Sequence, residues 1–212
     1  MPIIAIDGPA GAGKSTIAKA LAERLGLGYL DTGAQYRAIT FAALQRGLAL
    51  TDTKRVAGFA REVTMEVDAR GVWVDGHDAT AAIRTGEITA AVSAVASNSG
   101  VRDELRRRQR EWAQQYGGGV IEGRDIGSVV FPDADLKLYL TASPRVRAER
   151  RVAEVGGDVE EIAAAIATRD QLDTSREDGP LMRADGSVVL DTTGLSIDEV
   201  LAEVEQLLQE RS

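Results

Sequence analysis

No cysteine occurs among the 212 residues, which excludes disulfide staples, thiolate metal centres and a cysteine nucleophile. One histidine is present, and His77 lies in "VDGHDA", a turn composition. It is expected at the surface, not in a triad or a metal cage. Aromatics supply only 4% of the chain, so the core must be aliphatic, and Trp73 and Trp112 read as packing residues. No window approaches the ~18 apolar residues of a membrane span. The first apolar segment starts at residue 2 without a basic leader, so the expectation is a soluble cytoplasmic protein with no membrane partner. Cations are also in deficit, with 25 Lys and Arg against 33 Asp and Glu and a formal charge of -8. Such a field repels polyanions and argues against a nucleic-acid partner.

Anions must therefore be captured locally, and the arginines do fall in groups. They occur in "RDELRRRQR" (102 to 110), "RVRAERR" (145 to 151) and the series Arg169, Arg176, Arg183. Any single run is ordinarily a solvated helix face. Several of them beside a phosphate-binding loop carry more meaning.

Short β-rich runs recur at 2 to 6, 27 to 31, 119 to 123, 136 to 141 and 187 to 191. Between them, apolar residues at i, i+3 and i+4 predict helices over Ser15 to Leu25, Ala34 to Gln45, Glu87 to Tyr116 in two pieces, Pro144 to Val155, Val159 to Leu172 and Ile197 to Gln209. Strands alternating with helices imply βαβ units and an α/β fold with a parallel sheet covered on both faces. Residues 61 to 84 break the rhythm. They alternate with period two on either side of "DARG", which predicts a small antiparallel insertion. A second excursion, "GGDVEEIAAAIATRDQLDTSREDGP", predicts helical structure that can open and close.

Gly8, Pro9, Ala10, Gly11, Ala12, Gly13, Lys14 and Ser15 fit G-x-x-x-x-G-K-[ST] at every fixed position, with a strand before and a helix after. Glycines let backbone N–H groups turn inward around a β-phosphate, and the helix N-terminus adds partial positive charge. Lys14 then bridges β- and γ-phosphates and Ser15 ligates Mg²⁺. Ser15 and Thr16 can also serve the helix as caps. Together these residues predict a binding site for a nucleoside triphosphate, above all ATP, with Mg²⁺.

Three uses of such a loop compete. A switch GTPase needs a guanine-reading N-K-x-D motif, which is absent, although "DTTG" at 191 to 194 resembles a D-x-x-G switch segment. Only about 20 residues follow it, too few for a base-reading element. A motor ATPase usually brings more chain and an apolar run ending in Asp, where this chain has Glu122 in "GVIEGRD". A small-molecule kinase fits best, with a loop near adenine or a plain strand-to-helix turn as the two readings of "DTTG".

The phosphate loop, "DTGAQYR" (31 to 37), "IRTGEI" (83 to 88), "VRDELRRRQR" (101 to 110), "EGRDIGSVVFPDA" (122 to 134) and "RDQLDTSRED" (169 to 178) together resemble bacterial cytidylate kinase, the nucleoside monophosphate kinase acting on CMP and dCMP. The resemblance implies a P-loop kinase fold with a five-stranded parallel sheet, a small antiparallel insertion and a helical lid. It implies a single kinase domain comprising a core (about 1–33, 117–145 and 173–212), a CMP-binding region (about 34–116) and a lid (about 146–172). Glu122 departs from the family, whose members usually carry Asp there.

By resemblance, Ser93, Arg102 and Asp125 read the base. Their ordinary alternatives are a small helix-packing residue, a solvated helix arginine and an acid after a strand. Cytosine pairs an amino donor with an N3 acceptor, so a carboxylate facing one and a cation facing the other favours it over uracil by up to ~10⁴. Arg37, Arg124 and Arg176 match the clamp on the acceptor phosphate, with Thr32 and Tyr36 lining the same turn. Arg169 and Asp173 match the pair at the sugar hydroxyls, and Lys14, Arg124 and Arg176 are the expected catalytic group. Arg147, Arg150 and Arg151 are expected to close as a lid that excludes water. The acceptor phosphate is already ionised near neutral pH, so no general base is needed. A monomer using small-molecule substrates is the implied form.

Overall fold

The computed structural model describes residues 1–210, and the last two residues of the expected core segment 173–212 lie outside them. The chain runs β1 (Ile3–Asp7), α1 (Lys14–Leu25), β2 (Tyr29–Asp31), α2 (Thr32–Gln45), α3 (Thr53–Glu62), β3 (Met65–Asp68), β4 (Gly71–Val74) and β5 (His77–Asp78). It continues with α4 (Gly86–Ala96), α5 (Ser99–Tyr116), β6 (Gly119–Gly123), β7 (Leu136–Thr141), α6 (Pro144–Val155), α7 (Val159–Thr174), β8 (Val188–Asp191) and α8 (Ile197–Gln209). By its contacts it forms two compact units, Met1–Tyr29 with Gly117–Ser212, and Leu30–Tyr116.

The first unit is organised by the parallel sheet, whose strand order is β2-β6-β1-β7-β8. β1 is central: Ile4, Ala5 and Ile6 have no exposed surface, as expected of a strand covered on both faces. Its register pairs Asp7 with Gly123 of β6 and with Tyr139 of β7, so the ends of three strands arrive side by side. Ile17 and Leu21 of α1 and Val200 and Val204 of α8 cover the sheet in one aliphatic cluster with Ile6 and Leu138. Helix limits follow from local chemistry. Gly26 ends α1 in the left-handed region at φ 64, Ser143 caps α6 ahead of Pro144, and Ser196 with Glu199 forms a complete capping box on α8.

The second unit has its own core, in which Ile39, Val56, Phe59, Ile83, Val101 and Leu105 pack together. Asp31 caps α2 by accepting from Ala34 N–H at 2.8 Å. Here the sequence expectation needs correction. Residues 61 and 62 are the end of α3, a helix not anticipated from periodicity, and the antiparallel insertion starts only at Met65. It also has three strands, ordered β3-β4-β5. Asp75 and Gly76, both at positive φ (48 and 80), make the second turn, a composition suited to a two-residue hairpin. His77 therefore lies in a short exposed strand. Trp73 is half-buried beneath the Arg70 guanidinium, 5.4 Å from its ring centre.

Candidate active site

The glycine loop leaves β1 at Gly8 and enters α1 at Lys14. Gly8 sits at φ 150, and a Cβ there would lie 2.0 Å from the Leu140 carbonyl oxygen; a Cβ on Gly11, at φ 75, would meet the Arg147 carbonyl oxygen at 2.8 Å. Only glycine satisfies both the conformation and the close approach. Ser15 and Thr16 are exposed in the first turn of α1, while Lys14 is buried with its Nζ donating to the Pro9 carbonyl at 3.0 Å. Burial pulls the Lys14 ammonium from 10.5 down to about 7; Arg124 and Arg169 push in the same direction, while Glu122 and Asp7 oppose them.

Carboxylates and arginines surround this lysine in the first unit. Asp7 accepts from the backbone N–H groups of Ile126 and Gly127 at 2.9 and 2.7 Å, and burial raises its carboxyl to about 6 despite those bonds. Glu122 is buried at the end of β6 and accepts from the Tyr29 hydroxyl at 3.1 Å. Arg124 Nε donates to Asp173 Oδ2 at 2.8 Å, and Arg176 Nη2 donates to Asp173 Oδ1. Burial alone would raise the Asp173 carboxyl, but Arg124, Arg176 and Arg169 together hold it below its usual 3.8. Asp125 is buried, and its carbonyl accepts from Val129 and Val130 as the chain turns through 126–130.

Helices α6 and α7 touch the loop directly. Arg147 Nη1 donates to the Ala10 carbonyl at 3.0 Å and to Asp170, whose carboxylate in turn accepts from Ala10 N–H at 3.0 Å. Arg150 reaches the Ala12 carbonyl at 3.4 Å and binds Thr192 twice, at Oγ1 and at the backbone oxygen, each at 2.8 Å. Arg151 instead pairs with Glu154 of its own helix at 2.8 Å. Thr192 is the buried centre of "DTTG": its hydroxyl donates to Thr141 O at 3.0 Å and lies 3.4 Å from Ala12 O.

In the second unit lie the expected acceptor residues Thr32, Tyr36, Arg37, Ser93 and Arg102. Thr32 is buried at the start of α2. Arg37 donates to Ile83 O at 3.2 Å and to Thr89 Oγ1 at 2.9 Å, which ties α2 to the start of α4. Arg102, 1% exposed, sits 5.6 Å from the Tyr36 ring centre and donates to Ala96 O at 3.1 Å. A solvated helix arginine is thereby ruled out for Arg102. Ser93 is half-buried on α4 and its carbonyl accepts from Ser97. Trp112 stacks on Tyr116 at 4.8 Å between ring centres.

Four residues around the loop escaped sequence reasoning as site members: Asp7, Tyr29, Asp170 and Thr192. Asp7 adjoins the phosphate loop, and Asp170 and Thr192 lie inside "RDQLDTSRED" and "DTTG", so the motifs already recognised were the available signal.

The family model described as cytidylate kinase matches residues 4–210. The chain is 47% identical to the cytidylate kinase of Geobacter sulfurreducens over 99% of this chain and 93% of that one. It is 48% identical to the cytidylate kinase of Desulfitobacterium hafniense, over 98% and 93%. A bifunctional pantoate ligase/cytidylate kinase of Synechococcus sp. strain CC9311 is 46% identical over 99% of this chain, which spans 44% of that longer relative. Among solved structures, a shikimate kinase from Acinetobacter baumannii superposes with a TM-score of 0.52 at 16% identity, covering 100% of this chain and 95% of that one. This last likeness speaks to the fold alone.

Proposed function

The chain belongs to the cytidylate kinase family, and from that premise we infer that it transfers the γ-phosphoryl group of ATP to CMP or dCMP, yielding ADP and CDP or dCDP. The observation that carries the mechanism is the convergence of cationic groups behind the phosphate loop, where the buried Lys14 lies in the field of Arg124 and Arg169, and Asp173 in that of Arg124, Arg176 and Arg169. Phosphoryl transfer needs little covalent help; positioning and charge neutralisation supply the rate. Triphosphate oxygens would take the place of the Pro9 carbonyl at Lys14 Nζ, while backbone N–H groups of Gly11 to Ser15 would hold the β-phosphate.

Arg37, Arg124 and Arg176 clamp the CMP phosphate, with Thr32 and Tyr36 beside Arg37. Asp173 is engaged by two arginines, yet a carboxylate has about four lone-pair sites, so it can still accept from a sugar hydroxyl next to Arg169. Ser93, Arg102 and Asp125 read the cytosine edge. Arg147 and Arg150, as the lid segment 146–172 closes, exclude water from the transferring group; Arg151 joins them by releasing Glu154.

Among the described residues no cluster of three acidic or histidine side chains could hold a metal. Mg²⁺ commonly binds through one or two protein oxygens plus substrate phosphates, and the exposed Ser15 hydroxyl fits that mode. Bound there, Mg²⁺ would supply charge neutralisation to the triphosphate. No helix of the described residues is long and apolar enough to cross a membrane. Small-molecule substrates require no second chain, and the reading is that of a cytoplasmic monomer.

The test follows the label. With γ-labelled ATP and CMP, the label is expected in CDP, and without acceptor its release as inorganic phosphate is expected to be slower by at least about 10². Acceptor-independent release would overturn the kinase reading in favour of a nucleotide hydrolase.

A further inference from the structure

Asp7 closes β1 one residue before the phosphate loop, is 3% exposed and lies level with Gly123 in the sheet register. Both of its oxygens are used on neighbouring backbone: Oδ1 accepts from Ile126 N–H at 2.9 Å and Oδ2 from Gly127 N–H at 2.7 Å. These are the opening N–H groups of a helical turn, which have no partner inside the turn itself. The same turn is closed from its other side by the Asp125 carbonyl, which accepts from Val129 and Val130 at 2.9 and 3.2 Å. It is also wedged in place. A Cβ on Gly127 would lie 3.1 Å from the Lys137 side chain and 3.4 Å from Ala184 Cβ. The backbone of Asp125 is thus held by its own carbonyl on one side and by Asp7, through the next N–H, on the other.

A carboxylate is the side chain this arrangement needs. Two adjacent donors require two acceptor atoms in one plane, whereas an asparagine offers one acceptor and turns an NH₂ donor towards the second N–H. An alanine leaves both buried N–H groups unsatisfied. Burying a carboxylate is costly, and its retention here calls for more than strand packing.

We propose that Asp7 is a positioning residue for the acceptor: it locks the turn after Arg124 and Asp125 to the strand that carries the phosphate loop, so that donor loop and acceptor-reading pair keep one relative placement. It touches no substrate itself. The inference rests on the reading of Arg124 and Asp125 as acceptor-binding residues.

Asp7→Asn, nearly isosteric, is the principal variant, assayed for ADP release with CMP and UMP beside Asp125→Ala. A displacement of about 1 Å at a reacting group can cost ~10² in rate. The expected result for Asp7→Asn is a fall of roughly 10 to 100-fold in kcat/KM for CMP and a smaller CMP to UMP ratio, with KM for ATP held within about threefold. Equal losses for ATP and CMP at an unchanged ratio would overturn the positioning role, since general loosening has no reason to spare one substrate. Amide hydrogen exchange in the folded variant gives a readout independent of turnover. Faster exchange at Gly127 or Ile126 is expected, and unaltered protection at both overturns the clamp. A ratio that changes in Asp125→Ala but not in Asp7→Asn removes the positioning role alone. A ratio unmoved in Asp125→Ala removes the base-reading assignment on which it rests.

Discussion

Asp173 receives the Arg124 Nε–H at 2.8 Å with its Oδ2, and both groups are largely buried. Because Oδ1 serves Arg176, one carboxylate holds together two of the arginines assigned to the acceptor phosphate. Asp173→Asn removes the carboxylate that the two guanidinium groups share, and a broken buried pair costs about 3 kcal/mol or more. For a chain of this size that corresponds to a fall in Tm of ~6 to 12 °C, readable by calorimetry. The sign with pH is fixed by the depressed carboxyl. Its contribution is fully present above 3.8 and is lost as pH falls through the lower folded-state value, so the gap between wild type and Asp173→Asn is expected to narrow in acid. A gap that stays constant down to about pH 2.5 would contradict the ion-pair account.

Lys14 is the second test. Its folded value near 7 lies below the ordinary 10.5, so the native state binds fewer protons than the unfolded chain across that interval. Its contribution to stability therefore rises as pH increases from about 7 to 10.5. A triphosphate beside Nζ favours the charged form. Binding of ATP at pH ~8 is thus expected to take up a proton, seen as a dependence of calorimetric heat on buffer ionisation enthalpy. Lys14→Met should abolish that uptake, and an absence of uptake in the wild type would contradict the assignment.

Thr192 joins three segments through one hydroxyl, with Arg150, Thr141 and Ala12 as partners. Thr192→Val keeps the shape and removes the bonds, leaving buried donors and acceptors unmatched at about 1–3 kcal/mol. The expected outcome is a lower Tm together with weaker ATP binding, because Ala12 and Arg150 both adjoin the donor loop. Reduced stability with unaltered ATP affinity would confine Thr192 to a packing role.

Arg108 makes a different kind of contribution. Its guanidinium donates to Val63 O at 3.0 Å and Ala60 O at 2.8 Å, covering the end of α3, while Glu104 holds its Nε at 2.6 Å. Arg108→Met is expected to lower Tm through the exposed carbonyls of α3 by ~1–2 kcal/mol, with kcat unchanged. A large loss of kcat at unaltered Tm would contradict the structural role.

These residues also mark where sequence reasoning succeeds and fails. The phosphate loop is legible because its glycines are required locally, by positive φ and by atoms a Cβ would strike. The sheet is legible because its strands are short and mostly apolar, as in "IIAID" and "LKLYLT". Helix α3 was not, since "TKRVAGFARE" surrounds four buried residues with charge and carries Gly58 at its centre; the Asp52 cap, accepting from Arg55 N–H at 3.1 Å, was the missed signal. β5 escaped because two residues carry no periodicity. Asp7, Asp170 and Thr192 were hidden for another reason. Their partners lie 119, 160 and 180 residues away along the chain, and only the folded chain brings each pair together.

Acceptor choice is the central claim, and ADP release with saturating ATP across CMP, dCMP, UMP and AMP tests it most directly. The expected result is efficient turnover of CMP and dCMP, with UMP disfavoured in kcat/KM by about 10² or more, as a site with matched buried polar groups allows. Equal turnover of CMP and UMP would contradict the account.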